Sequence, residues 1–100
     1  MKIRLESRGG FTGRAIVHEL DVDHLPRAEG EAVRRLVDGG GFWTMPDAVT
    51  NPRPQPWDID HKLTVDDAGR VRTVRLHQSA APEPLQRLLE QLEALPPARP

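Results

Sequence analysis

Apolar and polar residues alternate from Lys2 to Arg8, with Ile3 and Leu5 on one face and Lys2, Arg4 and Glu6 on the other. A period of two marks a strand with one buried face. The period returns over residues 14–22, where Ile16, His18, Leu20 and Val22 share a face. The five residues Gly9 to Gly13 join these runs, which predicts an antiparallel hairpin with a longer loop. Beyond Asp23, an acidic capping candidate, the period lengthens. Ala28, Ala32, Val33, Leu36 and Val37 form a helical stripe that opens at Leu25-Pro26 and stops at Gly39-Gly40-Gly41. Gly30 interrupts it at a cost of about 1 kcal/mol against alanine. Phe42, Trp43 and Met45 follow the glycines and are expected to close one end of the core.

The second half repeats the plan. Ile59, His61, Leu63 and Val65 alternate as a third strand, and Asp66-Asp67-Ala68-Gly69 forms a turn. A fourth strand runs over residues 70–77, with Val74 and Leu76 on one face. Val71 has the wrong parity for that face, which suggests a bulge or a strand covered on both sides. Leu85, Leu88, Leu89, Leu92 and Leu95 line one side of a final helix, with Pro82 or Pro84 in its first turn and Pro96-Pro97 ending it. The expected fold is α+β: a four-stranded antiparallel sheet in the order β-β-α-β-β-α, with two helices on one face. Residues 1–95 are expected to form one domain and residues 96–100, which lie outside the residues described below, a proline-rich flexible tail.

Two connections do not read as filler. Gly9 to Gly13 places Phe11 between Gly10 and Thr12, although loop tips are ordinarily small and polar and binding residues concentrate on loops. Pro46 to Asp58 holds four prolines with no periodicity, and unstructured connections of that length are often functional. Prolines such as Pro54 and Pro56 fix φ, so less entropy is lost on docking. Trp57 beside them is the kind of side chain that anchors interfaces. Two alternatives stay open: Phe11 folding back on the sheet edge as a lid, and Trp57 packing beneath its loop.

Composition narrows the function classes. The chain has 100 residues, 14 basic and 15 acidic, for a formal charge of −1. Without a basic tract, nucleic acid is not an expected partner. No apolar run approaches membrane-spanning length. Met1-Lys2 leads straight into a strand pattern rather than a signal peptide, so a cytoplasmic location is expected, with export by another route left open. The chain is expected to be a monomer. With no cysteine there are no disulfides, thiolate nucleophiles or cysteine zinc sites.

Asp21-Val22-Asp23-His24 and Asp58-Ile59-Asp60-His61 carry metal-ligand types. On a strand, however, His61 points away from Asp58 and Asp60, so neither run makes a site alone. The only serines, Ser7 and Ser79, lie outside any Gly-x-Ser-x-Gly setting, and His18 reads as a satisfied core histidine. Gly39-Gly40-Gly41 follows a helix and lacks the Lys-Ser/Thr of a phosphate loop. The chain is expected to be no enzyme and to need no cofactor or metal of its own.

The order and spacing of four segments carry a resemblance. They are MKIRL followed by ESRGGFTG, DVDHLP before the first helix, FWTMP after it, and LTVDDAGRVRTV. Over roughly residues 1–95 the chain resembles the emfourin family, small bacterial inhibitors of protealysin-like, thermolysin-type zinc metalloproteases. The resemblance implies a thermolysin-like metalloprotease as partner, and the two loops singled out above, with Gly10, Phe11, Thr12, Pro54, Pro56 and Trp57, are the expected contacts. Such enzymes leave one zinc position open to water. Asp58 or Asp47 is the candidate carboxylate to displace that water, with Phe11 and Trp57 as apolar anchors. Where family members carry a Gly-x-Asp-like stretch, this chain reads Gln55-Pro56-Trp57-Asp58, which shifts the carboxylate by one position. The alternatives are an interaction module using the same loops without inhibition, and a small enzyme pairing His61 with Asp58 or Asp60.

Overall fold

The computed structural model describes residues 1–9, 15–56 and 58–95. Strands β1 (Lys2–Gly9) and β2 (Ile16–Asp21) pair antiparallel, as the alternation requires. Helix α1 (Arg27–Gly39) is followed by a two-residue strand β3 (Ala48–Val49). Strands β4 (Ile59–Asp67) and β5 (Arg70–His77) form the second hairpin, and helix α2 (Glu83–Glu93) follows.

Among the described residues the sheet has five strands in the order β2-β1-β4-β5-β3, and it is mixed, not four-stranded and antiparallel. The fifth strand escapes periodicity because two residues carry no period. Tertiary bonds make it instead. The Arg72 guanidinium donates to the carbonyls of Phe42 and Met45, and the Arg75 amide donates to the Asp47 carbonyl at 2.9 Å. These contacts draw the segment after α1 against β5, where Ala48 and Val49 pair in parallel with Arg75 and Leu76.

One face of the sheet supplies the core. Ile3, Leu5, Leu63, Val65, Val74 and Leu76 are buried there against Val33 and Val37 of α1 and the leucines of α2. Leu85, Leu88, Leu89 and Leu92 are fully buried, each contributing about 1.5–3 kcal/mol of apolar transfer. Phe42 is also fully buried, with Trp43 packed edge-on to it, so this segment does close the core. Among the described residues no helix is long and apolar enough to cross a membrane.

Three local expectations change. Val71 is exposed, and the β4–β5 register runs without a slip from Asp60↔His77 to Asp67↔Arg70, so there is neither a bulge nor a second covered face. Asp23 does not cap α1. It lies in a 3₁₀ turn (Val22–His24) whose cap is Asp21, and its carboxylate accepts from Arg34 at 3.0 Å. The buried side of α1 is Gly30, Val33 and Val37, while Ala28 and Ala32 are exposed. Gly30 is there because the helix passes close to the preceding turn: a Cβ would lie 3.2 Å from the Val22 carbonyl oxygen.

Candidate functional site

Strand register brings Gly9, where the first loop leaves β1, and Asp58, where the second connection enters β4, to one end of the sheet. β1 ends and β4 begins there, with Gly9 opposite Ile59, and β5 runs out beside them at His77. Gly9 adopts φ 125°, and a Cβ on it would sit 2.7 Å from the Asp58 carbonyl oxygen. Only glycine fits this approach. The exit of β1 and the entry of β4 are therefore in contact through backbone.

Of the site residues named from sequence, Gly10, Phe11, Thr12 and Trp57 lie outside the described residues. Pro54 and Pro56 are exposed on the connection into β4. Asp58 is half-buried and held by three donors. The Ser79 hydroxyl donates at 2.6 Å, the Ile59 amide at 2.9 Å and the Ser79 amide at 3.3 Å. The Ser79 hydroxyl is the main reason the Asp58 carboxyl sits below its usual range, with its two backbone donors and nearby His77 adding to the effect against desolvation.

Asp47 has a different setting. Its side chain is 96% exposed and meets Arg72 at 3.2 Å, near the start of β5. Asp58 meets Ser79 just past that strand's other end. The two carboxylates do not converge on one point.

Residues that sequence reasoning passed over complete the Asp58 environment. The Asn51 amide donates to His77 Nδ1 at 2.8 Å, and Asn51 Nδ2 donates to Ser79 Oγ at 3.1 Å. Asn51 Oδ1 in turn accepts the Arg53 amide at 2.9 Å, and the Asp58 amide donates to the Gln55 carbonyl at 2.9 Å. The 3₁₀ turn Gln78–Ala80 after β5 thus ties down both ends of the proline-rich segment. An Asn before proline and two polar residues closing a strand were the only sequence signals. Gln55, Asp58, Ile59, Gln78 and Ser79 line a shallow depression of about 200 Å³.

Parity separates Asp60 from His61, as expected. Asp60 lies on the open face, where Arg75 grips it at 2.6 and 3.0 Å and lowers its pKa, with smaller contributions of the same sign from the nearby histidines. His61 faces inward and is 1% exposed. Ser7 Oγ lies 2.7 Å from its Nδ1, and Gln78 Oε1 lies 2.5 Å from its Nε2, with Glu93 Oε1 at 3.4 Å. The two oxygens at Nε2 call for a proton there, and in that neutral tautomer Nδ1 accepts from the Ser7 hydroxyl. Ser, His and Glu in a line are hydrolase residue types. Here Ser7 and His61 are buried, and the hydroxyl faces the ring, not a cleft. The arrangement satisfies buried polar groups in the core. His18 departs from expectation: it is buried, yet its Nδ1 has no hydrogen-bond partner among the described residues. Among those residues no three His, Cys, Asp or Glu side chains converge as a metal site.

The features define a small α+β protein whose connection into β4 is held by hydrogen bonds at one end of its sheet. The Emfourin family model matches residues 5–93, and the chain belongs to that family. No curated protein and no solved structure matches the chain.

Proposed function

We propose that this protein inhibits a thermolysin-like zinc metalloprotease by inserting the loop end of its sheet into the active-site cleft. Membership of a family of protein inhibitors supports the reading. The observation that carries it is the contact of Gly9 with Asp58, which joins the start of one suspected contact loop to the end of the other. Gly10, Phe11 and Thr12 on one loop, and Pro54, Pro56 and Trp57 on the other, are the contact residues of this reading. Asp58 is the preferred carboxylate for the enzyme's zinc. A carboxylate offers about four lone-pair sites, and three donors leave it room for a metal. Asp47 is the second candidate. Nanomolar binding needs about −12 kcal/mol, within reach of one metal bond and one or two buried aromatics.

The test is direct. Purified protein is titrated into a thermolysin-type protease while peptide cleavage is followed. Stoichiometric, reversible loss of activity is expected, and full activity at a large molar excess would overturn the reading. One observation favours the second reading, an interaction module without inhibition. The Asp58 carboxylate is already engaged within its own chain. Binding that persists after a small competitive inhibitor fills the protease cleft would support that module.

A further inference from the structure

The strongest arrangement outside the proposed contact residues is the set of bonds from Asn51 and Ser79 to the connection into β4. Asn51 grips both His77 and Ser79, and Ser79 grips Asp58 with hydroxyl and amide together. Between these two attachments the segment carries Pro52, Pro54 and Pro56, which cannot supply backbone N–H donors of their own. Among the described residues it is held at its ends, by the Arg53–Asn51 bond and by the Asp58–Gln55 bond. Its conformation therefore depends on residues that lie at the close of β5 and on its own first turn.

We infer that Asn51 and Ser79 form a latch that holds the Thr50–Asp58 loop in its binding conformation, with Ser79 a positioning residue for the proposed protease contact. The inference rests on the inhibitor reading above. A loop that samples its competent form only part of the time binds more weakly by that fraction. Releasing the latch should therefore slow association and leave the finished complex intact. Loss of a direct contact would instead speed dissociation, where most interface substitutions act.

The experiment compares the full-length chain with Ser79→Ala and with Ser79→Thr, which restores a hydroxyl. Amide hydrogen exchange is read at Asn51, Arg53 and Asp58, with Leu5, Leu63 and Leu76 as core references. Association and dissociation rates with a thermolysin-type protease are measured in parallel. The expected result for Ser79→Ala is at least tenfold faster exchange at the loop amides alone. Association should be at least tenfold slower with dissociation unchanged, and both effects should be reversed in Ser79→Thr. Unchanged exchange would show that no latch exists. Faster exchange with normal association would overturn the positioning role. Faster dissociation with normal association would make Ser79 a contact, which also overturns it. A wild-type chain that inhibits no such protease would fail the inhibitor reading instead, and the exchange measurement would then decide the latch by itself.

Discussion

Asp58 combines a close backbone approach, a charge and three donors in one residue. Replacing it with Asn keeps the shape and removes the charge. In the proposed mechanism Asp58→Asn should raise the inhibition constant at least tenfold, about 1.4 kcal/mol, while folding survives. Asp47→Asn, altering an exposed side chain, should change it little. If neither variant moves the constant, the zinc is not met by a loop carboxylate. Asp58 also sets a pH dependence. Its folded pKa is depressed by the Ser79 hydroxyl, so its contribution to stability is present above the ordinary aspartate value of about 3.9. It is lost as pH falls through the lower folded value. The protection of the loop amides, meaning exchange relative to the intrinsic rate at each pH, should thus be flat from neutral pH to about 4.5 and should fall below about 4. Asp58→Asn should remove that acid-dependent part, leaving the separate contribution of Asp60 and Arg75.

At the scale of elements, α2 and the β4–β5 hairpin illustrate different sources of order. The four fully buried leucines of α2 make Leu88→Ala or Leu92→Ala destabilising by about 2–5 kcal/mol, from lost transfer and a cavity. Denaturant titration measures this, and inhibition per folded molecule should stay normal. Lost inhibition with unchanged stability would mean that the stripe meets a partner. The hairpin turns on Ala68 and Gly69, with φ 54° and 88°, the two positive values that a type I′ turn requires. Gly69 was readable as such, but Ala68 carries a side chain in a conformation that costs it about 1–2 kcal/mol. Asn is better tolerated there, so Ala68→Asn should stabilise the protein by about 0.5–1 kcal/mol in the same titration. Unchanged or lower stability would show that strand pairing absorbs the strain.

For the whole molecule, the proposed function depends on which loops are anchored at one end of the sheet. Antiparallel pairing of β1 with β4 places Gly9 at Ile59, although nearly half the chain lies between them. Phe11 follows Gly9 by two positions in sequence. In the proposed interface, Phe11→Ala should weaken protease binding by about 1–4 kcal/mol, in the range of interface hot spots, with little change in melting temperature. A collapsed melting temperature with normal affinity per folded molecule would instead make Phe11 part of the core.

Much of the fold is legible in the sequence because burial repeats with the period of the element. Ile3 and Leu5, His61 to Val65, Val74 and Leu76, and the α2 leucines all fall where alternation or helical spacing put them. The end of α1, the β4–β5 turn and the opposed faces of Asp60 and His61 follow from equally local rules. What local rules could not reach was pairing between distant segments. Ala48–Val49 is a strand only because Arg72 and Arg75 bind the chain beside it, and Ser7 meets His61 only because the register sets them opposite. Gly30 reads as a defect until the Val22 carbonyl is seen against it. The bonds among Asn51, His77, Ser79 and Asp58 are of the same kind. Local periodicity therefore determined which faces are buried and the order of the main elements. Hydrogen bonds between residues far apart in sequence, whose partners no local pattern can name, decided the fifth strand and the setting of Asp58.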